Sequence, residues 1–452
     1  MKKNDLVTLN ITGMTAEGSG VGRTDSMAVF VPMTAVGDEV EAVIIKVAKN
    51  YAVGKMLRVI TPSKDRVEPD CAAFKQCGGC ALRHISYEAE LELKRQRVSD
   101  CLKRIGGLDI PVEAVAHGEV SRYRNKAQYP TAPAADGGIA CGFFARHSHR
   151  IVPCADCLLQ PEDFSAVTEA VKTYARECGV SAYDEVSGRG LLRHIYVRRA
   201  WATGETMVCL VINGDRLPHE DRLVESLLAA SDGSLKTVVI NRNTAKTNVI
   251  LSNDCRVILG DGYILDVLCG VKVRLSALSF YQVNHDMAER LYAKAAEFAG
   301  EGRLLLDLYC GAGTIGLSMA HSFERLIGVE VVEAAVKDAE VNAAANGIEH
   351  AEFICADAFE AARRLERDGL RPDAVVVDPP RKGLEQGLPQ LICEKMRPER
   401  VVYVSCDPAT LARDMADFAR FGYVAKSAHP FDLFPRTAHV ECVVKLERKD
   451  KV

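Results

Sequence analysis

The chain has 452 residues, a formal net charge of −4, 48% hydrophobic and 26% charged residues. That length suits two or three domains, and that composition fills cores instead of leaving a chain disordered. It excludes a uniformly basic coat for nucleic acid, and no apolar run approaches the ~18 residues of a membrane span.

Residues 1–60 alternate apolar and polar side chains in short runs, among them Val7-Thr8-Leu9-Asn10-Ile11, Met27-Ala28-Val29-Phe30-Val31 and Glu39 to Ile45. Gly18, Gly20, Gly22 and Gly37 punctuate them. Five short strands with glycine turns predict a small β-barrel of the oligonucleotide-binding type. Met1-Lys2-Lys3 is followed by no apolar leader, so a cytoplasmic protein is expected. After the linker Thr61 to Asp65 come Cys71, Cys77, Gly78, Gly79 and Cys80. Three thiols at this spacing want a fourth ligand, for which Cys154 and Cys157 are available; zinc and an iron–sulfur cluster both remain open. Most of the other cysteines, such as Cys209, Cys269 and Cys442, sit singly in apolar runs and read as small buried hydrophobes of a reducing compartment.

Tyr87 to Ile105 is rich in helix formers, and Leu91, Arg95, Val98, Leu102 and Ile105 form a helical stripe. A second helix is predicted between Glu162 and Cys178, and strands over Leu191–Arg198 and Met207–Ile212. Arg122-Tyr123-Arg124-Asn125-Lys126, Arg146 to Arg150, and Arg193, Arg198 and Arg199 offer cations for phosphates and an aromatic for a splayed base.

From about residue 285 the rhythm becomes helix, strand, helix, strand. Leu304–Leu308, Leu326–Glu330, Ala374–Asp378 and Val401–Val404 are short apolar runs ending in polar residues, the pattern of buried parallel strands in a doubly wound α/β domain. Its ligand belongs beyond the strands' carboxyl ends. Asp307-Leu308-Tyr309-Cys310-Gly311-Ala312-Gly313 leads from the first strand into a helix, and Glu330 closes the next strand where a carboxylate meets ribose hydroxyls. A dinucleotide dehydrogenase and an S-adenosylmethionine methyltransferase both fit. The glycines lack the longer G-x-G-x-x-G spacing, and Asp357 and Asp378 close the following strands, which favours the methyltransferase. Asp357 is equally a helix N-cap. Asp378-Pro379-Pro380-Arg381 resembles the motif of amino-group methyltransferases, but Arg381 replaces their stacking aromatic, so an exocyclic amine is a poor target.

Cys406 follows the strand Val401–Val404, and the helix predicted to start at Thr410 is expected to favour its thiolate. Ser405-Cys406-Asp407-Pro408-Ala409-Thr410 resembles the nucleophile motif of RNA uracil-C5 methyltransferases, Phe434-Pro435-Arg436-Thr437-Ala438-His439-Val440-Glu441 their base motif, and Phe280-Tyr281-Gln282-Val283-Asn284 their cofactor motif. With the barrel resembling a TRAM domain, the likeness covers nearly the whole chain. It implies a multidomain protein: an OB-like β-barrel (TRAM) over residues 1–60, a central α+β RNA-binding domain with a 4Fe–4S cluster over 61–270, and an α/β Rossmann-like S-adenosylmethionine-dependent methyltransferase domain over 271–452. It implies cluster ligation by Cys71, Cys77, Cys80 and Cys157, leaving Cys154 spare, and cofactor contacts from Gln282, Tyr309, Glu330 and Asp378. Thr314 stands where relatives carry Asn, and Arg83 where they carry Gln. The chemistry expected is addition of Cys406 to uracil C6, methylation at C5, and removal of the C5 proton by Glu441. The branch resembled acts, as a monomer, on 23S ribosomal RNA; transfer RNA as substrate, or a noncatalytic RNA-binding assembly factor, are the alternatives.

Overall fold

The computed structural model describes residues 1–25 and 27–449. Strands β1 (Leu6–Met14), β2 (Ser19–Arg23), β3 (Ala28–Pro32), β4 (Glu39–Val47) and β5 (Tyr51–Thr61) close into a barrel of order β1-β2-β3-β5-β4. Period-two alternation sends Leu9, Ile11, Val29, Val31, Val40, Ala42 and Ile44 inward. The wall is tight at Gly20, where a Cβ would lie 2.0 Å from Thr34 Oγ1.

Helix α1 (Tyr87–Arg104) follows, capped by the Ser86 side chain, which accepts from Ala89 N at 3.3 Å. Its buried face shares Val98 and Leu102 with the predicted stripe but turns away from it elsewhere. Glu90, Lys94, Val98 and Leu102 point inward, whereas Ile105 is exposed. Two charged residues at core positions hide the true period from an apolar count.

The middle of the chain forms a seven-stranded sheet of order β12-β11-β10-β9-β6-β7-β8. Its strands are β6 (Lys126–Pro133), β7 (Ile139–Phe144), β8 (Ile151–Pro153), β9 (Leu192–Arg199), β10 (Thr206–Ile212), β11 (Leu235–Arg242) and β12 (Cys255–Leu259), with helices α2 (Asp163–Glu177) and α3 (Glu220–Ala230) between them. Alternate residues of β9 and β10 serve two cores. Ile195, Val197, Val208 and Leu210 meet α2 and α3, while Tyr196, Met207 and Cys209 join a core shared with the last part of the chain. That double burial explains the unbroken apolar run over Met207–Ile212.

The hairpin β13 (Tyr263–Leu268) and β14 (Val271–Ser276) leads to helix α4 (His285–Ala299). The α/β sheet then runs through β15 (Gly302–Leu308), α5 (Thr314–Ser318), β16 (Phe323–Glu330), α6 (Glu333–Ala345), β17 (Ala351–Cys355), α7 (Ala358–Arg367), β18 (Ala374–Val377), α8 (Leu388–Gln390), β19 (Arg400–Ser405), α9 (Pro408–Arg420), β20 (Tyr423–Phe431) and β21 (Glu441–Arg448). Its order is β17-β16-β15-β18-β19-β21-β20. The first five are parallel, as predicted. β21 enters antiparallel between β19 and β20.

Helix α1 belongs to this layer. Val98 and Leu102 share a core with Leu411, Ala412 and Met415 of α9. The chain after α1 then bridges the edge strand β20 in parallel, Val112 with Ala428 and Ala116 with Phe431. Among the described residues no helix is long and apolar enough to cross a membrane.

Candidate active site

The parallel strands β15 to β19 end together, so the residues just past them share one crevice. The turn after β15 is left-handed at Tyr309 (φ 67°), Gly311 (φ 56°) and Gly313 (φ 78°). Glycine is needed at Gly313, where a Cβ would stand 3.1 Å from the Phe353 ring. The Glu330 carboxylate accepts from Gly311 N at 3.1 Å and Val332 N at 2.9 Å, tying the ends of β15 and β16 together.

Asp307 is a residue the sequence reading quoted but left out of the site. Its Oδ2 accepts from Gly316 N at 2.9 Å, and its buried Oδ1 has no partner. Burial, with Asp378 and Glu330 nearby, pushes its carboxyl up to about 8. A carboxylate inside the apolar run Leu304–Leu308 was the available signal. Burial likewise raises Asp378, at the end of β18, to about 7.

The nucleophile and base are brought together by strand register. β19 and β21 pair antiparallel up to Ser405↔Cys442, so Cys406 and Glu441 occupy the next step of the same ladder. Glu441 is buried, and burial plus the Asp378 charge push it up to about 8, against the pull of Arg381. Burial, then Glu441 and Asp378, raise the Cys406 thiol to about 11, again opposed by Arg381. The predicted thiolate-favouring helix end is therefore a correction. Asp407 is the N-cap of α9, and its Oδ1 takes the Ala409 and Thr410 amides at 2.8 and 3.2 Å, so those donors are spent on the cap. Arg381 acts electrostatically on this pair. Partial desolvation and the nearby cations Arg381, Arg97, Lys94 and Arg124 lower the His439 imidazole.

Gln282 is placed by its backbone, whose carbonyl accepts from Asn125 Nδ2 at 2.9 Å. The Asp357 side chain caps α7 through Phe359 and Glu360. Thr314 Oγ1 lies 3.3 Å from the Tyr292 hydroxyl. A cavity of about 520 Å³ opens between α6 and β17, lined by Glu340, Glu349 and Phe353, and holds none of the predicted site residues.

Three of the residues expected to face RNA are turned inward. The Arg193 guanidinium donates to the carbonyls of Asn243 and Ala245 at 2.7 and 2.9 Å. Arg198 donates to those of Ser276 and Ser279, both at 2.7 Å. Tyr123 is buried, its hydroxyl donating to Pro435 O at 3.1 Å. Each is spent on main-chain carbonyls of another segment, a demand that sequence does not display. Arg122 and Arg199 are paired with Asp156 and Asp163, and Arg150 remains exposed.

The five cysteines of the second candidate site also come together. The Cys154 thiol hydrogen-bonds Cys157 and feels Cys71 and Cys77, and Cys80 feels Cys157 and Cys77. Gly79 N donates to Cys77 Sγ at 3.3 Å. The Leu159 and Gln160 amides, together with Cys154, hold Cys157 below the usual thiol range. Donor kind and number suit a soft metal centre. Yet among the described residues no three His, Cys, Asp or Glu side chains close on one point as a metal requires.

The crevice is acidic: Asp307, Glu330, Asp378 and Glu441 act on one another or on Cys406 there, and the exposed Arg381 opposes them. A sulfonium with a ribose fits that donor set.

Comparison with known proteins agrees. The tRNA (uracil-5-)-methyltransferase family matches residues 235–449, and the TRAM domain matches residues 2–57. An uncharacterized RNA methyltransferase of Clostridium tetani is 42% identical over 447 residues, 98% of this chain and 96% of the relative. Another, of Halalkalibacterium halodurans, is 42% identical over 454 residues, 100% of this chain and 98% of the relative. The crystal structure of Pyrococcus abyssi tRNA (uracil-54, C5)-methyltransferase with S-adenosyl-L-homocysteine superposes with a TM-score of 0.79 at 28% identity, over 97% of this chain and 100% of that one.

Proposed function

We infer the reaction from two facts taken together: the chain belongs to the family of S-adenosylmethionine-dependent RNA uracil-5 methyltransferases, and Cys406 and Glu441 stand at adjoining places on one β-ladder. The ladder position carries the reading. Cys406 Sγ bonds to C6 of a uridine and turns C5 into a nucleophilic carbon. S-adenosylmethionine, bound by Gln282, Tyr309, Glu330 and Asp378 with Asp307 behind them, would supply the methyl group to C5, its S–CH₃ bond breaking and S-adenosylhomocysteine leaving, and a positive charge to an acidic crevice. Glu441 takes the C5 proton, the C6–S bond breaks, and Cys406 leaves as the ring recovers its double bond. Arg381 favours the ionised forms of both residues, the direction the chemistry needs. The uridine must leave its stack to meet a thiol at this depth, so single-stranded or looped RNA is the substrate.

For the RNA itself we propose 23S ribosomal RNA, on the resemblance of the motifs and the cysteine set to that branch of the family. Transfer RNA is the second reading, because the superposed Pyrococcus abyssi enzyme is described as a tRNA (uracil-54, C5)-methyltransferase. Mapping 5-methyluridine in both RNAs from cells lacking the protein decides. Loss confined to 23S RNA supports the first reading, and loss at tRNA overturns it. A purely noncatalytic assembly role would leave both maps unchanged.

We also propose that Cys71, Cys77, Cys80 and Cys157 hold a 4Fe–4S cluster that orders the loops around it. Their convergence and the amide bonds to Cys77 and Cys157 support this reading. Protein purified without oxygen should be brown and carry about four irons; stoichiometric zinc overturns the assignment.

A further inference from the structure

The loop from Asp432 to Val440 delivers Glu441 to the sheet without secondary structure of its own. Its carbonyls are instead held from elsewhere in the chain. Asn284 Nδ2 donates to Leu433 O at 3.2 Å, the Tyr123 hydroxyl to Pro435 O at 3.1 Å, and Arg97 Nη1 to Ala438 O at 2.8 Å. The amides of Ala81 and Leu82 donate to Arg436 O at 2.9 and 3.1 Å.

Beneath the loop lies a buried ionic network that the reaction does not use. Glu90 and Asp432 are 0% exposed and Lys94 is 2% exposed. The Lys94 ammonium donates to Glu90 Oε1 at 2.7 Å, Asp432 Oδ1 at 2.7 Å and Phe434 O at 3.3 Å. The Tyr87 hydroxyl donates to the other Asp432 oxygen at 2.8 Å. Arg436 closes the circuit: its amide donates to Glu90 Oε1 at 2.7 Å, and its guanidinium lies 3.7 Å from Glu90 Oε2 and over the Tyr87 ring at 5.2 Å. Two cations balance two carboxylates. Such a network is a weak source of stability, since apolar residues of equal volume do as well. What it supplies is one geometry, fixed by directional bonds.

We propose that Glu90, Lys94 and Asp432, with Tyr87 and Arg436, are positioning residues for Glu441: α1 grips the base-bearing loop so that the carboxylate meets the C5 proton. This rests on Glu441 being the base. It assigns a catalytic duty to a helix lying outside both matched family segments, residues 2–57 and 235–449.

The test separates proton removal from the earlier steps. On 5-fluorouridine the Cys406–C6 bond and the C5–CH₃ bond can form, but C5 bears fluorine where Glu441 needs a proton. No base removes fluorine as a cation, so the C6–S bond persists as a stable adduct. Lys94→Met and Asp432→Asn are assayed for 5-methyluridine turnover on 23S and transfer RNA transcripts, and for adduct on the same transcripts made with 5-fluorouridine. Asp432→Asn keeps the side-chain volume but removes the negative charge and one of the two acceptors that Lys94 and Tyr87 use, and so reports even where Lys94→Met does not fold. Expected is adduct yield within about twofold of wild type and an unchanged KM for RNA, with kcat lowered about 10²-fold, as for a misplaced catalytic group. Glu441→Gln should share that signature. Adduct and turnover falling together, or turnover unchanged, overturns the positioning role. Wild-type protein giving neither adduct nor 5-methyluridine on either RNA overturns the reaction itself, and the inference with it.

Discussion

The Cys406–Glu441 crevice and the cysteine cluster both gather distant residues, but by different means. In the crevice the work is done by main-chain ladders: six paired positions between β19 and β21 end one step short of the two reacting side chains. At the cysteines, Cys71 and Cys80 lie outside helices and strands, Cys77 is held by a single bridge to Ala145, and the contacts among the thiols are side chain to side chain or amide to sulfur. A ladder needs no ligand to hold its register. Thiols that approach without closing on a point have no such register, and the proposed cluster would be what orders them.

The comparison breaks most sharply at the nucleophile. Cys406→Ala should abolish 5-methyluridine formation while S-adenosylhomocysteine still binds by calorimetry, because the ladder does not depend on the thiol. Glu441→Gln should lose about 10²–10⁴-fold in turnover, read as methyl incorporation into RNA. At the other site Cys80→Ser should release bound metal and raise proteolysis around residues 71–80, leaving the crevice protected in hydrogen exchange. Equal loosening of both regions would show that the two are one cooperative unit.

Smaller effects sharpen the electrostatics. Glu441 must be ionised to accept a proton, and its value is raised to about 8 in the free protein. The kcat/KM profile should therefore climb as pH rises through about 8. Removing the Arg381 charge in Arg381→Met should push Glu441 and Cys406 up, moving that limb to higher pH. A limb that stays in place would show that Arg381 does not act on the pair. Smallest is Asp407→Ala, which deletes the α9 cap and should cost about 1 kcal/mol in thermal unfolding; with a raising charge gone and the cap amides freed, the thiol should react faster with iodoacetamide.

What the sequence made legible follows the same division. The buried parallel strands and the barrel were readable because apolar period and glycine turns are local signals, and Cys406 and Glu441 were readable as motifs. Their adjacency was not, since it depends on β21 inserting antiparallel between β19 and β20. The inward face of α1 escaped because Glu90 and Lys94 look like solvent residues until Asp432, more than three hundred positions later, appears beside them. Arg193 and Arg198 misled for the converse reason: a cation written in sequence does not reveal the loop carbonyls that consume it. Asp307 alone carried a local hint, a carboxylate amid leucines.

The bridges from Val112 and Ala116 to β20 set a timetable for synthesis. At about 5–20 residues per second, the segment that covers that sheet edge leaves the ribosome roughly 15–60 s before its partner exists. Until β20 emerges, α1 has neither α9 nor Asp432 to bury its charges against. A shortened chain beginning at residue 235 would have the opposite defect: the sheet complete, but β20 a bare edge with unpaired amides and carbonyls. Such a fragment should aggregate on expression, and adding residues 87–116 as a separate peptide should restore solubility.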